Sequence, residues 1–256
     1  MSTSEFTATP PTAPTAPAGE RLSPWERARR VFVSPQTAWE GLEEQVQWWI
    51  PLLLTLLVTA GMFFLLYHRA YLPMLLDQLD QQVVNGQLPA EQVDRMEQVY
   101  TSTPTMIMIV VTQILAVSVI TLISAAVVSF GVGFVLGAKF RYRLALESVC
   151  WANLVTLPSY IVMAVIAWSQ ETMKGVHLGL AALLPHSDTP SKIEVGLTVF
   201  LDAISPFAAW NLFVLVVACS TLSKAPRRSV AWVLVSLYLA LFAIGAALSA
   251  LFTPGA

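Results

Sequence analysis

Five long stretches without a charged residue dominate this chain and limit the folds that it can adopt. Each is close to, or longer than, the roughly 20 apolar residues that a helix needs to cross the hydrocarbon core of a bilayer. With 56% apolar and 12% charged residues among 256, the chain has too few polar side chains to cover a soluble domain. The sequence therefore predicts an all-α, polytopic integral membrane protein. The five predicted transmembrane helices lie at about residues 48–67, 105–138, 149–168, 203–222 and 230–252.

The lysines and arginines between these stretches are distributed unequally. Alternate polar segments carry ten of the 14 cations, and the remaining segments carry four. Because basic loops stay in the cytoplasm during insertion, this asymmetry predicts a cytoplasmic amino terminus and an external carboxyl terminus, N-in/C-out. The expected location is the plasma membrane of a bacterium, its inner membrane. The ten cations are Arg21, Arg27, Arg29, Arg30, Lys139, Arg141, Arg143, Lys224, Arg227 and Arg228, and the four are Arg69, Arg95, Lys174 and Lys192.

Composition also bounds the partners and the organisation of the chain. The formal net charge is only −2, and the basic clusters suit anionic headgroups, so the lipid bilayer is an expected partner and nucleic acid is not. Residues 1–24 are rich in Pro, Thr and Ala and predict a disordered cytoplasmic tail. Residues 25–252 form the predicted membrane domain, and residues 253–256 a short C-terminal end. Cys150 and Cys219 fall on the cytoplasmic half, where no disulfide is expected.

An amphipathic helix is predicted before the first span. Ser34 and Pro35 form a typical helix start, with Ser as the N-cap and Pro at the first helical position. Large apolar residues then recur every three or four positions, which favours a helix lying in the cytoplasmic headgroup layer. A docking helix for a cytoplasmic partner is the alternative interpretation. The apolar positions are Trp39, Leu42, Val46 and Trp49.

The two longer external segments carry helical and apolar patterns of their own. The first span is expected to continue as a helix until Asn85-Gly86, and Pro89 is expected to open a second short helix. Together these elements predict a compact helical hairpin outside the membrane. The apolar run from Val176 to Leu184 is too short to cross, so it either dips into the outer leaflet or covers the bundle.

The second apolar run predicts one long, tilted helix. From Thr105 to Ala138 it extends about 51 Å if helical, which is too short for two crossings and a turn. Small residues recur at every fourth position along it, a pattern that lets a second helix approach closely. We expect intramolecular packing along this stripe, with homodimerisation, a possible homo-oligomer, as the alternative. The stripe consists of Thr121, Ala125, Ser129, Gly133 and Gly137.

Three polar residues in or beside the third and fourth spans form a candidate polar seam: Asn153, Asp202 and Asn211. Intramembrane polar side chains mark packing contacts or solute routes. The plainer interpretation makes Asp202 an interfacial carboxylate that caps the fourth span. The functional interpretation joins all three residues into a seam between the two spans.

The sequence carries no recognisable catalytic constellation. Its acids adjoining the spans, Glu147 and Asp202, are predicted at opposite faces of the membrane, too far apart to share a proton. His68, His177 and His186 fall in external segments without metal-ligand spacing. There is no Gly-rich phosphate loop and no nucleophile elbow. We therefore expect a protein that is not an enzyme, with no cofactor and no metal.

Several short motifs are distributed along the chain: RVFVSP at 30–35, WIPL at 49–52, the acidic segment 91–100, FRYRLAL at 140–146 and LDAISPFAAWNL at 201–212. They resemble motifs of bacterial members of the Yip-one domain family, and the resemblance covers roughly residues 25–252. It implies a five-span membrane protein with a cytoplasmic amino terminus. Eukaryotic relatives are membrane-traffic proteins that associate with small GTPases and with each other, and some bacterial relatives are linked to export machinery.

The resemblance implies a non-enzymatic adaptor or scaffold that binds another membrane protein complex. The alternative is a small-solute transporter or channel, with the polar seam of Asn153, Asp202 and Asn211 lining its route.

Overall fold

A computed structural model describes residues 22–84, 86, 88–185 and 191–252 of the chain, and within these ranges all long regular elements are helices. Five helices are long and apolar enough to cross a membrane, which confirms the expected all-α membrane fold. Residues 1–21 of the predicted tail and the C-terminal end at 253–256 lie outside the described residues. The helices are α1 Pro24–Val33, α2 Trp49–Val84, α3 Ala90–Thr101, α4 Thr103–Val135, α5 Tyr142–Gln170, α6 Lys192–Asp202, α7 Pro206–Ser223 and α8 Arg227–Phe252.

The helical hairpin formed by the second half of α2 and by α3 follows the sequence pattern closely. Helix α2 continues 36 residues to Val84, about 54 Å, so its second half extends past the bilayer thickness. A π-helical turn at Tyr67–Tyr71 separates the two halves. Helix α3 begins directly after Pro89, as predicted, and the hydroxyl of Tyr67 donates a hydrogen bond of 2.6 Å to the carbonyl of Tyr100. The end of α3 is therefore bonded to α2 at the start of its π-helical turn.

The second apolar run forms the single helix that its length predicts, α4. Its last turn, Phe130–Val135, is π-helical, so one extra residue is inserted into the helical repeat. Gly131, near the start of this turn, lies against α8. A Cβ atom on Gly131 would lie 2.6 Å from Cδ1 of Leu237 and 3.0 Å from Cγ1 of Val233, both on α8.

The members of the predicted stripe consequently have different environments. Thr121 and Ala125 are buried inside the protein, whereas Ser129 and Gly133 are only partly buried. Gly137 lies beyond the end of α4, is exposed and has a positive φ of 65°. The stripe therefore does not continue as one packing surface past the π-helical turn.

The amphipathic helix before the first span lies one segment earlier than predicted. Ser23 is the N-cap, since its hydroxyl accepts a hydrogen bond from the N–H of Glu26 at 3.2 Å. Ser34, which we expected to start the helix, instead ends α1, and residues 35–44 form successive turns. Gly41 has a positive φ of 66° there, a conformation that interrupts a right-handed helix. The apolar residues Trp39 and Leu42 are nevertheless fully buried, in the protein core.

The fourth span begins later than predicted, and the reason is an additional helix. Asp202 is the last residue of α6, not the first of α7, which starts at Pro206 with Ser205 as its N-cap. Helix α6 has 11 residues, too few to cross a bilayer, and packs along α8. Gly196 allows this close contact, since a Cβ atom there would lie 3.2 Å from the carbonyl oxygen of Ala246.

The chain concentrates its core at one end of the helical bundle, which we call the basic end. The largest buried cluster joins α1 and residues 38–42 to the end of α4, the start of α5, the end of α7 and the start of α8. These are the segments that adjoin the basic clusters at 139–143 and 224–228. At the opposite end, Arg69 pairs with Glu171 at 2.7 Å. The cations thus lie at the two ends of the bundle as the alternating pattern predicted.

The apolar segment after α5 covers the bundle at the opposite end. It forms turns and a short 3₁₀ helix, Leu180–Leu183, and docks on the end of α6. The N–H of Gly179 donates to the Asp202 carboxylate at 3.1 Å, and the N–H of Leu180 donates to the carbonyl of Ile204 at 3.1 Å. A side chain at position 179 has no space, because its Cβ atom would lie 2.3 Å from the carbonyl oxygen of Asp202.

We expect Gly179→Ala to lower stability by about 1–3 kcal/mol, because the added methyl group must displace backbone. Thermal unfolding of the detergent-solubilised protein measures the change. Gly245→Ala is the matched control, since a Cβ atom at that position meets nothing within 4 Å. Equal melting temperatures for the two variants would contradict the close packing at Gly179.

Candidate functional site at the basic end

A buried arginine fixes the polypeptide between α1 and α2 in place. The side chain of Arg27 has 0% exposure. Its Nη1 donates to the carbonyl of Ala38 at 2.6 Å, and its Nη2 donates to the carbonyl of Glu40 at 3.2 Å. The amide oxygens of Gln45 and Gln47 accept two further hydrogen bonds, at 2.9 and 3.3 Å. The guanidinium therefore holds residues 38–47, which lack regular helical hydrogen bonding.

Helix α5 holds the same segment from the other side. The carboxylate of Glu147, also 0% exposed, accepts a hydrogen bond of 2.7 Å from the N–H of Gln47 through Oε1. Arg143, one turn earlier on α5, donates to the carbonyl of Gln45 at 2.9 Å and to the carbonyl of Glu43. Trp151, one turn later, lies under the Arg27 guanidinium at 5.9 Å from its ring centroid. We call residues 22–48 the N-terminal platform.

The cluster places a buried guanidinium near a buried carboxylate, and hydrogen bonds to backbone and amide groups serve both. Burial lowers the pKa of Arg27, and the nearby negative charge of Glu147 opposes that lowering. An arginine remains protonated even so, because its ordinary pKa lies far above neutral pH. Removing the guanidinium leaves buried acceptors without their donor, at a cost of about 1–3 kcal/mol for each. The cluster thus makes the platform a fixed part of the fold.

The outer surface of the platform carries both exposed apolar side chains and exposed charges, including the carboxylates of Glu26, Glu40, Glu43 and Glu44. Trp25 is 82% exposed and Val33 is 72% exposed, although Val31 between them is fully buried. Helix α1 therefore faces the bundle with one side and presents two large apolar side chains with the other. The exposed cations at this end are Arg29, Lys139, Arg141, Lys224, Arg227 and Arg228.

Two members of the predicted polar seam meet inside the bundle. The amide nitrogen of Asn211 donates to the amide oxygen of Asn153 at 3.2 Å, linking α7 to α5. Asn153 lies where α5 changes to a 3₁₀ turn, Leu154–Thr156. This turn precedes Pro158, which has no N–H to donate. The pair joins the two helices at the place where α5 is irregular.

The third member, Asp202, belongs to a different site at the opposite end. Besides Gly179, it contacts Nδ1 of His177 at 3.6 Å. His177 lines a cleft of about 490 Å³ together with the ion pair of Lys174 and Asp77, whose atoms are 3.2 Å apart. The structure therefore reduces the seam to one asparagine pair, with Asp202 serving to dock the covering segment. Among the described residues, no group of three His, Cys, Asp or Glu side chains could hold a metal ion.

Sequence reasoning missed the role of Arg27 and the existence of α6 for different reasons. Ser191 and Glu194 form a capping box, a pattern that was readable from their spacing. Nothing in the local sequence separates Arg27 from its neighbours Arg29 and Arg30, because its burial depends on residues 11–20 positions away and on α5. Arg29 is thus an exposed surface charge and Arg30 pairs with Glu40, whereas Arg27 belongs to the core.

These features define a class of protein: a polytopic α-helical membrane protein with five candidate spans and a folded platform at one end. The sequence profile of the Yip1 domain matches residues 29–249, most of the chain, and the protein belongs to this family. The resemblance found in the short motifs is thereby confirmed. No curated protein and no solved structure matches the chain.

We expect Arg27→Met to destabilise the protein by about 3–5 kcal/mol, because it leaves the buried carbonyls of Ala38 and Glu40 without their donor and removes a positive charge near Glu147. Thermal unfolding in detergent measures the loss, and limited proteolysis between residues 34 and 47 reports release of the platform. Arg29→Met is the control, since an exposed substitution changes stability by no more than about 0.5 kcal/mol. Adding Glu147→Gln to Arg27→Met should recover part of the loss. Indistinguishable unfolding of the two Met variants would refute the clamp.

The asparagine pair should contribute a measurable interaction energy between α5 and α7. We expect a double-mutant cycle of Asn153→Ala and Asn211→Ala to give a coupling of about 0.6–1.7 kcal/mol, typical of polar pairs between membrane helices. Reversible unfolding in mixed micelles supplies the energies. A second cycle of Asn153→Ala with Asp202→Asn should show no coupling, because Asp202 lies at a separate site. Coupling in the second cycle would restore the three-residue seam.

Proposed function

We propose that this protein is a non-enzymatic adaptor or scaffold of the bacterial inner membrane that binds another membrane protein through the N-terminal platform. The platform faces the cytoplasm in this proposal, because ten of the 14 cations adjoin the basic end. Membership of the Yip1 domain family supports a membrane protein, and the adaptor role is our inference.

The observation that carries the proposal is the way α1 is mounted. A buried guanidinium and four hydrogen bonds hold its inner side, so Trp25 and Val33 are presented from a rigid surface outside the spans. Binding to a rigid surface avoids the entropy cost of ordering it, and exposed aromatic side chains are frequent anchors of interfaces.

The transport alternative has less support. It needs a continuous polar route between α5 and α7, and the Asn153–Asn211 pair instead satisfies itself across that contact. Asp202, the charged member of the route, serves a backbone contact elsewhere. A self-paired amide contact fixes packing between helices without requiring a solute.

Photo-crosslinking in cells tests the adaptor role. A photoreactive amino acid replacing Trp25 should yield a discrete adduct with another membrane protein. The same group replacing Leu57, which is 61% exposed on the first span, should yield lipid adducts instead. We expect an additional Val33→Asp substitution to reduce the Trp25-site adduct about tenfold, equivalent to about 1.4 kcal/mol. Lipid adducts alone at both positions would contradict a partner on the platform.

Accessibility labelling of the same cells checks the orientation on which the proposal depends. A membrane-impermeant maleimide should label Arg95→Cys on α3 and should not label Arg29→Cys on α1 until the cells are opened. The native cysteines are buried and leave a low background. Labelling of position 29 in intact cells would reverse the orientation and remove the cytoplasmic partner from consideration.

A further inference from the structure

A polar cavity of about 200 Å³ lies among the first three spans, away from both the platform and the asparagine pair. Helix α2 contributes most of the lining residues and packs against α4 and against the second half of α5. The first half of α5 packs on α4, and its second half packs on α2, so the helices diverge around the cavity. Its apolar wall consists of Met62, Phe63, Leu66, Val117 and Met163, and its polar residues are Thr59, Tyr71, Gln113 and Tyr160.

The polar groups of this cavity have unused hydrogen-bonding capacity. The hydroxyl of Thr59 is buried and has no partner. Other threonines in the spans bond to their own helix: Thr55 donates to Pro51 at 2.9 Å and Thr121 to Val117 at 2.8 Å. The side chains of Gln113 and Tyr160 also make no hydrogen bond within the described part of the chain. An amide has two donors and an acceptor with two lone pairs, so Gln113 alone leaves several positions open.

Two polar residues of the cavity, Thr59 and Gln113, lie well inside the apolar length of their helices, and Tyr71 lies further along α2. Thr59 lies ten residues after the start of α2 at Trp49, and Gln113 lies ten residues after the start of α4 at Thr103. Both distances correspond to about 15 Å, which is half of a hydrocarbon core of about 30 Å. Because no water surrounds the protein at this depth, unpaired polar groups are unfavourable there unless a ligand pairs with them.

We propose that this cavity binds the uncharged, oxygen-bearing headgroup of a membrane-soluble amphiphile. Every polar group lining it is neutral, and it contains no lysine, arginine or carboxylate to balance a phosphate or an ammonium group. Hydroxyl and amide groups can pair with a hydroxyl or carbonyl oxygen of either a diacylglycerol or a quinone. The apolar wall suits the attached chain, and Gln113 is exposed at the rim where a ligand enters from the bilayer. The site is separate from the proposed adaptor surface.

Photoaffinity labelling of the full-length protein in phosphatidylcholine nanodiscs tests this site. The probes are a diacylglycerol, a ubiquinone analogue and a phosphatidic acid, each carrying a diazirine. We expect saturable labelling by a neutral probe on peptides that contain Thr59, Gln113 or Tyr160, with phosphatidic acid labelling weak and unsaturated. Labelling by diacylglycerol alone would identify a glyceride ligand and labelling by ubiquinone alone a quinone ligand, and either supports the proposal. Labelling by neither neutral probe would mean that the cavity holds only water, and would overturn it.

Isosteric variants separate recognition by the cavity from general lipid contact. Thr59→Val together with Gln113→Leu should reduce saturable labelling about tenfold, a change of about 1.4 kcal/mol in binding. Thr112→Val is the matched control, because its hydroxyl already donates to the carbonyl of Met108 at 2.9 Å. Melting temperature and elution volume confirm that each variant is folded. Equal labelling of all variants would overturn the proposal, as would a change in oligomeric state at Gln113→Leu without any loss of labelling.

Discussion

Within the hydrocarbon core of a bilayer, a backbone N–H or C=O group can bond only to the protein itself, because there is no water to replace a missing partner. This constraint explains the distribution of structure along the chain. Each of the five long apolar stretches is helical, and the irregular segments lie at the two ends of the bundle. Where a span is irregular, as at Leu154–Thr156, side chains bond the backbone carbonyls: the Thr156 hydroxyl donates to Asn153 and the Ser159 hydroxyl donates to Thr156.

The same constraint governs the platform, although the platform lies outside the spans. Residues 35–44 have few helical hydrogen bonds, and they are packed against the bundle. The guanidinium of Arg27 serves their carbonyl groups, while Glu147 accepts from the N–H of Gln47. Arg27 and Glu147 thus supply hydrogen bonds to backbone groups that regular secondary structure would otherwise pair. Its partners come from both sides of the loop, and this fixes α1 relative to the third span.

Local patterns in the sequence predicted the elements whose causes are local. Nearby residues alone predicted the single long helix α4 and the family. They also predicted that the first helix of the hairpin ends near Gly86 and that the second begins after Pro89. The helix expected to start at Ser34-Pro35 instead starts after Ser23 and ends at Ser34, and the Arg27 guanidinium bonds carbonyls of the residues that follow. The burial of Arg27 and the separation of Asp202 from Asn153 depend on contacts between distant segments. Such contacts leave no periodic signal in the chain.

The π-helical turn at Phe130–Val135 has a consequence for how the family can vary in length. Each residue rotates a helix by about 100°, so the inserted residue changes the phase of everything that follows it. A chain shorter by one residue here would keep its hydropathy and still insert as a span. The residues after the deletion, however, would be rotated by about 100° relative to α8, on which the turn packs. Span length and helix phase are therefore separate constraints, and hydropathy reports only the first.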